Sequence, residues 1–207
     1  MPEESIVVVE RRFLPERAEF NGVRRGAKPF LSALAQHWFA APRSEAESRV
    51  DWKQPIPYIV LRKNEAIFAT VRSSDGREAR LRNMTSVGIG GHLRPGDRDS
   101  FRELLLDNAH RELTEELVVN PTPSTEELAS RLEFIGVIND ESNEVGRCHL
   151  GFLYVLDLEE SETVDIREVD NLSGGFQRPE DIPRGASTET WSTLALALLE
   201  ESNVDAE

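Results

Sequence analysis

Six consecutive residues near the middle of the chain, Arg111-Glu112-Leu113-Thr114-Glu115-Glu116, put three carboxylates and a guanidinium within a short stretch. On a helix turning about 100° per residue, Glu115 lies about 60° to one side of Glu112 and Glu116 about 40° to the other, so all three carboxylates face one way. Unaided, such crowding costs an exposed helix on the order of a few tenths of a kcal/mol per i,i+4 pair. A divalent cation converts that cost into affinity. Mg²⁺ takes hard oxygen ligands in octahedral geometry and retains several waters, one of which can become a nucleophile. Taken alone, a solvated helix face is the commoner meaning of an acidic cluster.

What precedes the cluster shifts that reading. Gly90-Gly-His-Leu-Arg-Pro-Gly-Asp97 follows a short β-prone run, Ser86 to Gly91. From Ser100 to Val118 the pattern is helical, with Phe101, Leu104, Leu105, Ala109, Leu113 and Leu117 on one broad face. A strand therefore delivers a glycine loop to a helix that carries the acids, the place where α/β proteins bind phosphates. Within the helix start, Ser100-Phe-Arg-Glu103 is a capping-box pattern, and capping is the preferred role for Glu103.

These two segments resemble the box of the Nudix hydrolase (MutT-like) family. Its pattern runs Gly, five residues, Glu, seven residues, Arg-Glu, an aliphatic residue, any residue, Glu-Glu, any residue, Gly and an aliphatic residue. Arg111 to Glu116 matches the second half without a gap. Gly91 has Asp97 at the first glutamate position, but thirteen residues, not seven, then separate Asp97 from Arg111. Keeping both halves requires a six-residue insertion; counting back from Arg111 instead lands on Glu103. The family glycine after the helix is Val118. Lys53-Gln-Pro-Ile-Pro-Tyr58, Arg80-Leu-Arg, Ser86-Val-Gly-Ile-Gly-Gly-His92 and Gly136-Val-Ile-Asn-Asp140 are similar to a bacterial branch of that family labelled phosphoesterase-like.

The resemblance implies an α/β fold, a Nudix-type α/β/α sandwich with a mixed sheet. It implies hydrolysis of the diphosphate bond in a nucleoside diphosphate linked to another moiety, with Mg²⁺, or Mn²⁺, as cofactor. Carried onto this chain, Glu115 and Glu116 would be the main metal ligands, and Glu112 a further ligand or proton acceptor. Arg111 would orient these carboxylates, and Gly91 and Asp97 would be cofactor-binding residues. A distal acid often completes such a site, and Glu141, Glu168 and Glu180 are unranked candidates. The departure at Asp97 leaves a nucleotide-binding sensor without turnover as an alternative, and Cys148 invites a Nudix-fold isomerase. A lone cysteine beside a strand, however, is usually a buried small hydrophobe.

Several elements must position these residues. Ile6 to Val9 reads as a strand, and Pro29 to Ala41 as an amphipathic helix carrying Phe30, Leu31, Leu34, Trp38 and Phe39. Ile56 to Arg62 and Ala66 to Arg72 predict a hairpin turned at Lys63-Asn64-Glu65, and Ser73-Ser-Asp-Gly76 a further turn. Leu132 to Ile138 and Leu150 to Leu156 predict strands joined by a polar loop, with a weaker strand over Val169 to Phe176. Thr188 to Glu201 predicts a closing helix in which Trp191 and the leucines are core. Residues 1–50 read as an extension that could mediate a homodimer, and residues 51–203 as the hydrolase domain.

Composition bounds the rest. The 207 residues suit one well-filled core. A net charge of -14, from 38 acidic and 24 basic side chains, repels nucleic-acid backbones and anionic membranes, so a phosphate-bearing small molecule is the expected partner. A single cysteine excludes an internal disulfide and a thiolate cluster, and the amino terminus lacks a basic region before its short apolar run; a cytoplasmic address is expected. Of the histidines, His92 sits beside the glycine turn but reads as a local hydrogen-bonding residue, with His37, His110 and His149 carrying still less signal.

Overall fold

The turn after Lys63 behaves as its residues predict. Lys63 pairs with Ala66 and Arg62 with Ile67, and Asn64 adopts φ +54°, the left-handed region that asparagine tolerates. The computed structural model describes residues 3–72, 83–96, 98, 100–167 and 172–204. The turn expected at 73–76, the Arg80-Leu-Arg segment, Asp97 and Glu168 lie outside the described residues.

In chain order the elements are β1 Ser5–Glu10, β2 Gly22–Arg24, α1 Lys28–His37, β3 Phe39–Pro42, α2 Arg43–Ala46, β4 Trp52–Lys63 and β5 Ala66–Arg72. There follow β6 Thr85–Ser86, β7 Gly88–Gly90, α3 Phe101–Glu116, β8 Leu117–Asn120, α4 Thr125–Arg131, β9 Leu132–Asn139 and α5 Glu144–Cys148. The chain ends with β10 His149–Asp157, β11 Thr163–Ile166, β12 Leu172–Gln177 and α6 Thr190–Val204. The class is mixed α/β, with a large sheet whose hydrogen-bonded order is β12-β5-β4-β10-β9-β2 and a separate β11-β8 pair. No helix among the described residues is long and apolar enough to cross a membrane.

Two compact units divide the described residues, one drawn from 1–58, 90–109 and 134–154, the other from 59–89, 110–133 and 155–207. In the first, β1 pairs with β3 from Ser5↔Pro42 to Val8↔Phe39 and with β4 at Val9↔Lys53, while β2 pairs with β9. Ile6, Val8, Ala41, Ala46 and Trp52 pack together with Phe39 against them, its ring edge-on to Trp52 at 5.0 Å. Full burial of side chains the size of Ile6 and Val8 contributes about 1.5–3 kcal/mol each. This packing corrects the helix expected over Pro29 to Ala41. The helix stops at His37 because Phe39 to Pro42 pair with β1 and bury Ala41, which outweighs a helical spacing that Trp38 and Phe39 also satisfy.

In the second unit, β12 lies antiparallel to β5, with Phe68 and Phe176 edge-to-face at 5.2 Å. A Cβ on Gly174 would sit 2.2 Å from the Ala69 carbonyl oxygen, so glycine permits this approach. Ala195, Leu196, Leu198 and Leu199 of α6 are buried, and Ser192 Oγ accepts from the Val87 amide at 3.0 Å. The expected helix through Val118 ends two residues early, because Leu117 to Asn120 form β8 against β11. No glycine is needed at this exit, since Arg167 donates its amide to Glu116 O and Nε to Thr114 O, both at 2.9 Å. α4, opened by a Ser124–Glu127 capping box, and β11 are elements that the sequence pattern did not announce.

Candidate active site

The glycine loop is set by close packing. A Cβ on Gly90 would meet Pro57 O at 2.2 Å, so only glycine lets β7 approach β4 this closely. Three residues on, the buried Leu93 carbonyl accepts from Val7 N at 2.8 Å. The buried Asn108 then clips the loop to α3: its Oδ1 accepts from Arg94 N at 2.9 Å, while Nδ2 donates to Arg94 O at 3.2 Å and Leu104 O at 2.9 Å. Ser100 N donates to Glu103 Oε2 at 3.1 Å and Glu103 N to Ser100 Oγ at 3.2 Å. Glu103 is therefore a capping residue, and the extra residues after Gly91 lengthen the loop and the first turns of the helix. Gly91 is half-buried in that loop, and its expected companion Asp97 lies outside the described residues.

At the other end of α3, in the second unit, Arg111 bridges two carboxylates. Nη2 lies 2.6 Å from Glu112 Oε1 and Nη1 2.9 Å from Glu115 Oε2, with Glu112 12% exposed and Glu115 47%. Glu116 is half-buried in the last helical position. The last turn contains no basic residue, so these acids sit at the negative end of the helix dipole. Among the described residues no three His, Cys, Asp or Glu side chains converge as a metal cage. The donor set nonetheless fits Mg²⁺ chemically: hard oxygens concentrated at a helix carboxyl end, with substrate and water left to fill the shell.

Of the distal acids, Glu180 is exposed beside Arg178 at 3.8 Å, and Glu141 is engaged elsewhere. Sequence reasoning missed the buried cluster that holds Glu141, all within the first unit. Lys53, 0% exposed, donates from Nζ to Glu141 Oε1 at 3.0 Å, Gly146 O at 3.1 Å and His149 O at 3.1 Å. Arg11 grips the same carboxylate at 2.8 and 3.3 Å, and Asn139 Nδ2 donates to it at 2.9 Å. The pair responds asymmetrically. Burial pushes Lys53 down to about 8 despite its partner, with Arg11 adding to the effect. Glu141 is less buried, so although burial acts to raise it, hydrogen bonds from Asn139, Arg11 and Lys53 hold it below the usual carboxylate value.

The same groups hold a strained turn. Glu16, Arg17 and Ala18 have φ of +47°, +53° and +51°, each costing about 1–2 kcal/mol for a residue with a Cβ. Arg11 donates to Arg17 O at 3.2 Å and Ala18 O at 3.1 Å, and Asn139 to Ala18 O at 2.8 Å. The available sequence signal was a lysine just before the apolar run Ile56 to Leu61 and an Asn-Asp-Glu run just after another such run. Nearby, His92 Nε2 and His149 Nε2 lie 3.1 Å apart. Cys148 is 3% exposed, its Sγ 3.8 Å from Glu47 O, and burial raises its thiol above the usual value, so it is a packing residue.

A mixed α/β fold in which a glycine loop leads into an acid-ended helix defines a class that comparison with known proteins resolves. No protein-family profile matches the chain. It is 33% identical to Protein YmaB of Bacillus subtilis (strain 168), over 96% of this chain and 98% of that protein. The crystal structure of Tm1382, assigned to the Nudix hydrolases, is 31% identical over 96% of this chain and all of its own, with a TM-score of 0.75. A MutT Nudix hydrolase from Burkholderia pseudomallei shares the fold at 15% identity and TM-score 0.51, over 71% of this chain and 98% of its own. The chain belongs to the Nudix hydrolase family, enzymes that cleave pyrophosphate bonds.

Proposed function

We propose that this hydrolase cleaves the diphosphate bond of a nucleoside diphosphate linked to another moiety, using Mg²⁺, or Mn²⁺, held by Glu112, Glu115 and Glu116. The observation that carries the reading is the set of three carboxylates at the carboxyl end of α3, two of them fixed by Arg111. When bound, the cation supplies charge neutralisation on the diphosphate and lowers the pKa of a coordinated water. Glu112, less exposed than Glu115 and paired with Arg111 at 2.6 Å, would be a further ligand or would accept the water's proton. The hydroxyl joins one phosphorus, the bridging oxygen leaves with the other, and two phosphate-terminated fragments result. Residues 51–203 form the hydrolase domain in this reading, with 1–50 as its extension.

The test is product detection over a panel of nucleoside diphosphate derivatives, with and without Mg²⁺. ADP-ribose enters the panel because a fold neighbour from Francisella tularensis, 14% identical over 72% of this chain and 42% of its own with a TM-score of 0.52, is a bifunctional NMN adenylyltransferase/ADP ribose pyrophosphatase complexed with AMP and Mn ion. Turnover should require the metal and fall by a factor on the order of 10²–10⁴ in Glu116→Gln. Metal-independent cleavage, or full activity in that variant, would overturn the assignment.

A further inference from the structure

The carboxyl end of α3 lacks the glycine stop that commonly closes a helix, and the chain runs straight on as β8. β8 pairs antiparallel with β11 from Asn120↔Thr163 to Leu117↔Ile166. Arg167, the next residue, carries that register past the strand and onto the helix. Its amide donates to Glu116 O and its Nε to Thr114 O, both at 2.9 Å. One residue thus holds two of the last three carbonyls of α3, and one of them belongs to Glu116. The Arg167 side chain is exposed and forms no ion pair among the described residues, so its one polar anchor is the helix.

The same turn is tied from within. Thr114 Oγ1 shares its proton between His110 O at 2.9 Å and Arg111 O at 3.0 Å. Thr114 is therefore bound to the preceding turn by its hydroxyl and to Arg167 by its carbonyl. Leu113 and Leu117, both buried, anchor the inner face, and Arg111 joins Glu112 to Glu115. Glu115 lies between the two carbonyls that Arg167 holds. The last turn of a helix is where fraying is greatest, because its carbonyls have no intrahelical donor. Carboxylates on a frayed turn would lose their conformational freedom at the moment a cation bound, whereas on a held turn that loss has already occurred.

We propose that Arg167 is a positioning residue for the metal site, ordering the last turn of α3 so that Glu115 and Glu116 stand ready beside Glu112. This rests on the metal-carboxylate reading above. The guanidinium charge opposes a bound cation, so whatever Arg167 contributes to metal binding comes through its hydrogen bonds and not through its field.

The test is Mn²⁺ binding to the full chain, read from the electron paramagnetic resonance signal of the free ion, with urea unfolding of each variant alongside. Arg167→Ala keeps the backbone bond to Glu116 O and should weaken Mn²⁺ binding about tenfold. Arg167→Lys keeps the wild-type charge and a side-chain donor for Thr114 O, and should bind between the two. A residue that merely capped the helix would lower the unfolding midpoint when replaced and leave the Mn²⁺ affinity of the folded protein unchanged. Unchanged or tighter binding in Arg167→Ala, wild-type affinity in Arg167→Lys should the alanine variant not fold, or lysine as weak as alanine would overturn the proposal. Glu116→Gln separates the two readings. If it binds Mn²⁺ as the wild type does, the carboxylate assignment fails; if it loses binding while Arg167→Ala keeps it, only the role of Arg167 fails.

Discussion

Replacing Lys53 by methionine tests whether the buried ammonium is held against its hydration. With an ordinary value of 10.5 in the unfolded chain and about 8 in the fold, the native state releases this proton first. Below pH 8 both states keep it, and the full burden of the buried charge is present. Between pH 8 and 10.5 the unfolded chain binds more protons than the native one, so stability rises with pH by about 1.4 kcal/mol per unit. The accumulated gain is about 3 kcal/mol. Lys53→Met lacks this titration. Its neutral-pH stability is set by two opposed effects: relief of the desolvated charge, and loss of the donor to Gly146 O and His149 O, about 1–3 kcal/mol for each buried acceptor left unmade. Glu141 retains Arg11 and Asn139.

Urea unfolding followed by tryptophan fluorescence, with Trp52 buried as a reporter, measures the difference between the two proteins from pH 7 to 10. The stability of the wild type relative to the variant should be constant up to about pH 8 and then rise by about 2–3 kcal/mol by pH 10. Other lysines and tyrosines titrate alike in both proteins and cancel. A difference that stays constant across the range, or shrinks as pH rises, would refute the claim that burial dominates over the Glu141 pairing at this lysine.

Gly90→Ala drives a Cβ to 2.2 Å from a backbone oxygen and should cost about 1–3 kcal/mol or more in urea unfolding, whereas Gly175→Ala, with nothing within 4 Å, should stay within about 1 kcal/mol; equal costs would show that β7 can move away from Pro57. Glu103→Gln keeps an acceptor for the Ser100 amide and should leave turnover within about twofold, while Glu103→Ala should lower stability by about 0.5–2 kcal/mol. If Glu103→Gln instead abolished turnover as Glu116→Gln is expected to, Glu103 would belong to the metal set.

Local rules made the hairpin and α3 legible. Asn64 at a turn and a 3.6-residue apolar repeat from Phe101 to Leu113 each point to one structure. They fail where two periods coincide. Leu117 lies on the helical face and also begins an alternating β pattern, and pairing with β11 decides between them. Trp38 and Phe39 extend the α1 spacing, but the partner strand β1 lies some thirty residues earlier. The Lys53 cluster was illegible for a stronger reason: Arg11, Lys53, Asn139 and Glu141 come from three distant segments, and none carries a local signal of the others. A lysine in a strand ordinarily marks an edge, and only the fold shows this one at 0% exposure.

The glutamates of α3 show why one residue type needs two explanations within a single helix. In the first turn Glu103 accepts from the Ser100 amide and faces the positive end of the dipole, so its charge stabilises the helix without further help. At the carboxyl end the same charge meets a negative dipole, two other carboxylates and no basic residue in the last turn. Arg111 offsets part of that cost through Glu112 and Glu115, and Arg167 satisfies the terminal carbonyls of Thr114 and Glu116. A helix assembled for stability alone would carry its acids at the other end. The position of these three, more than their number, is what argues for a cation.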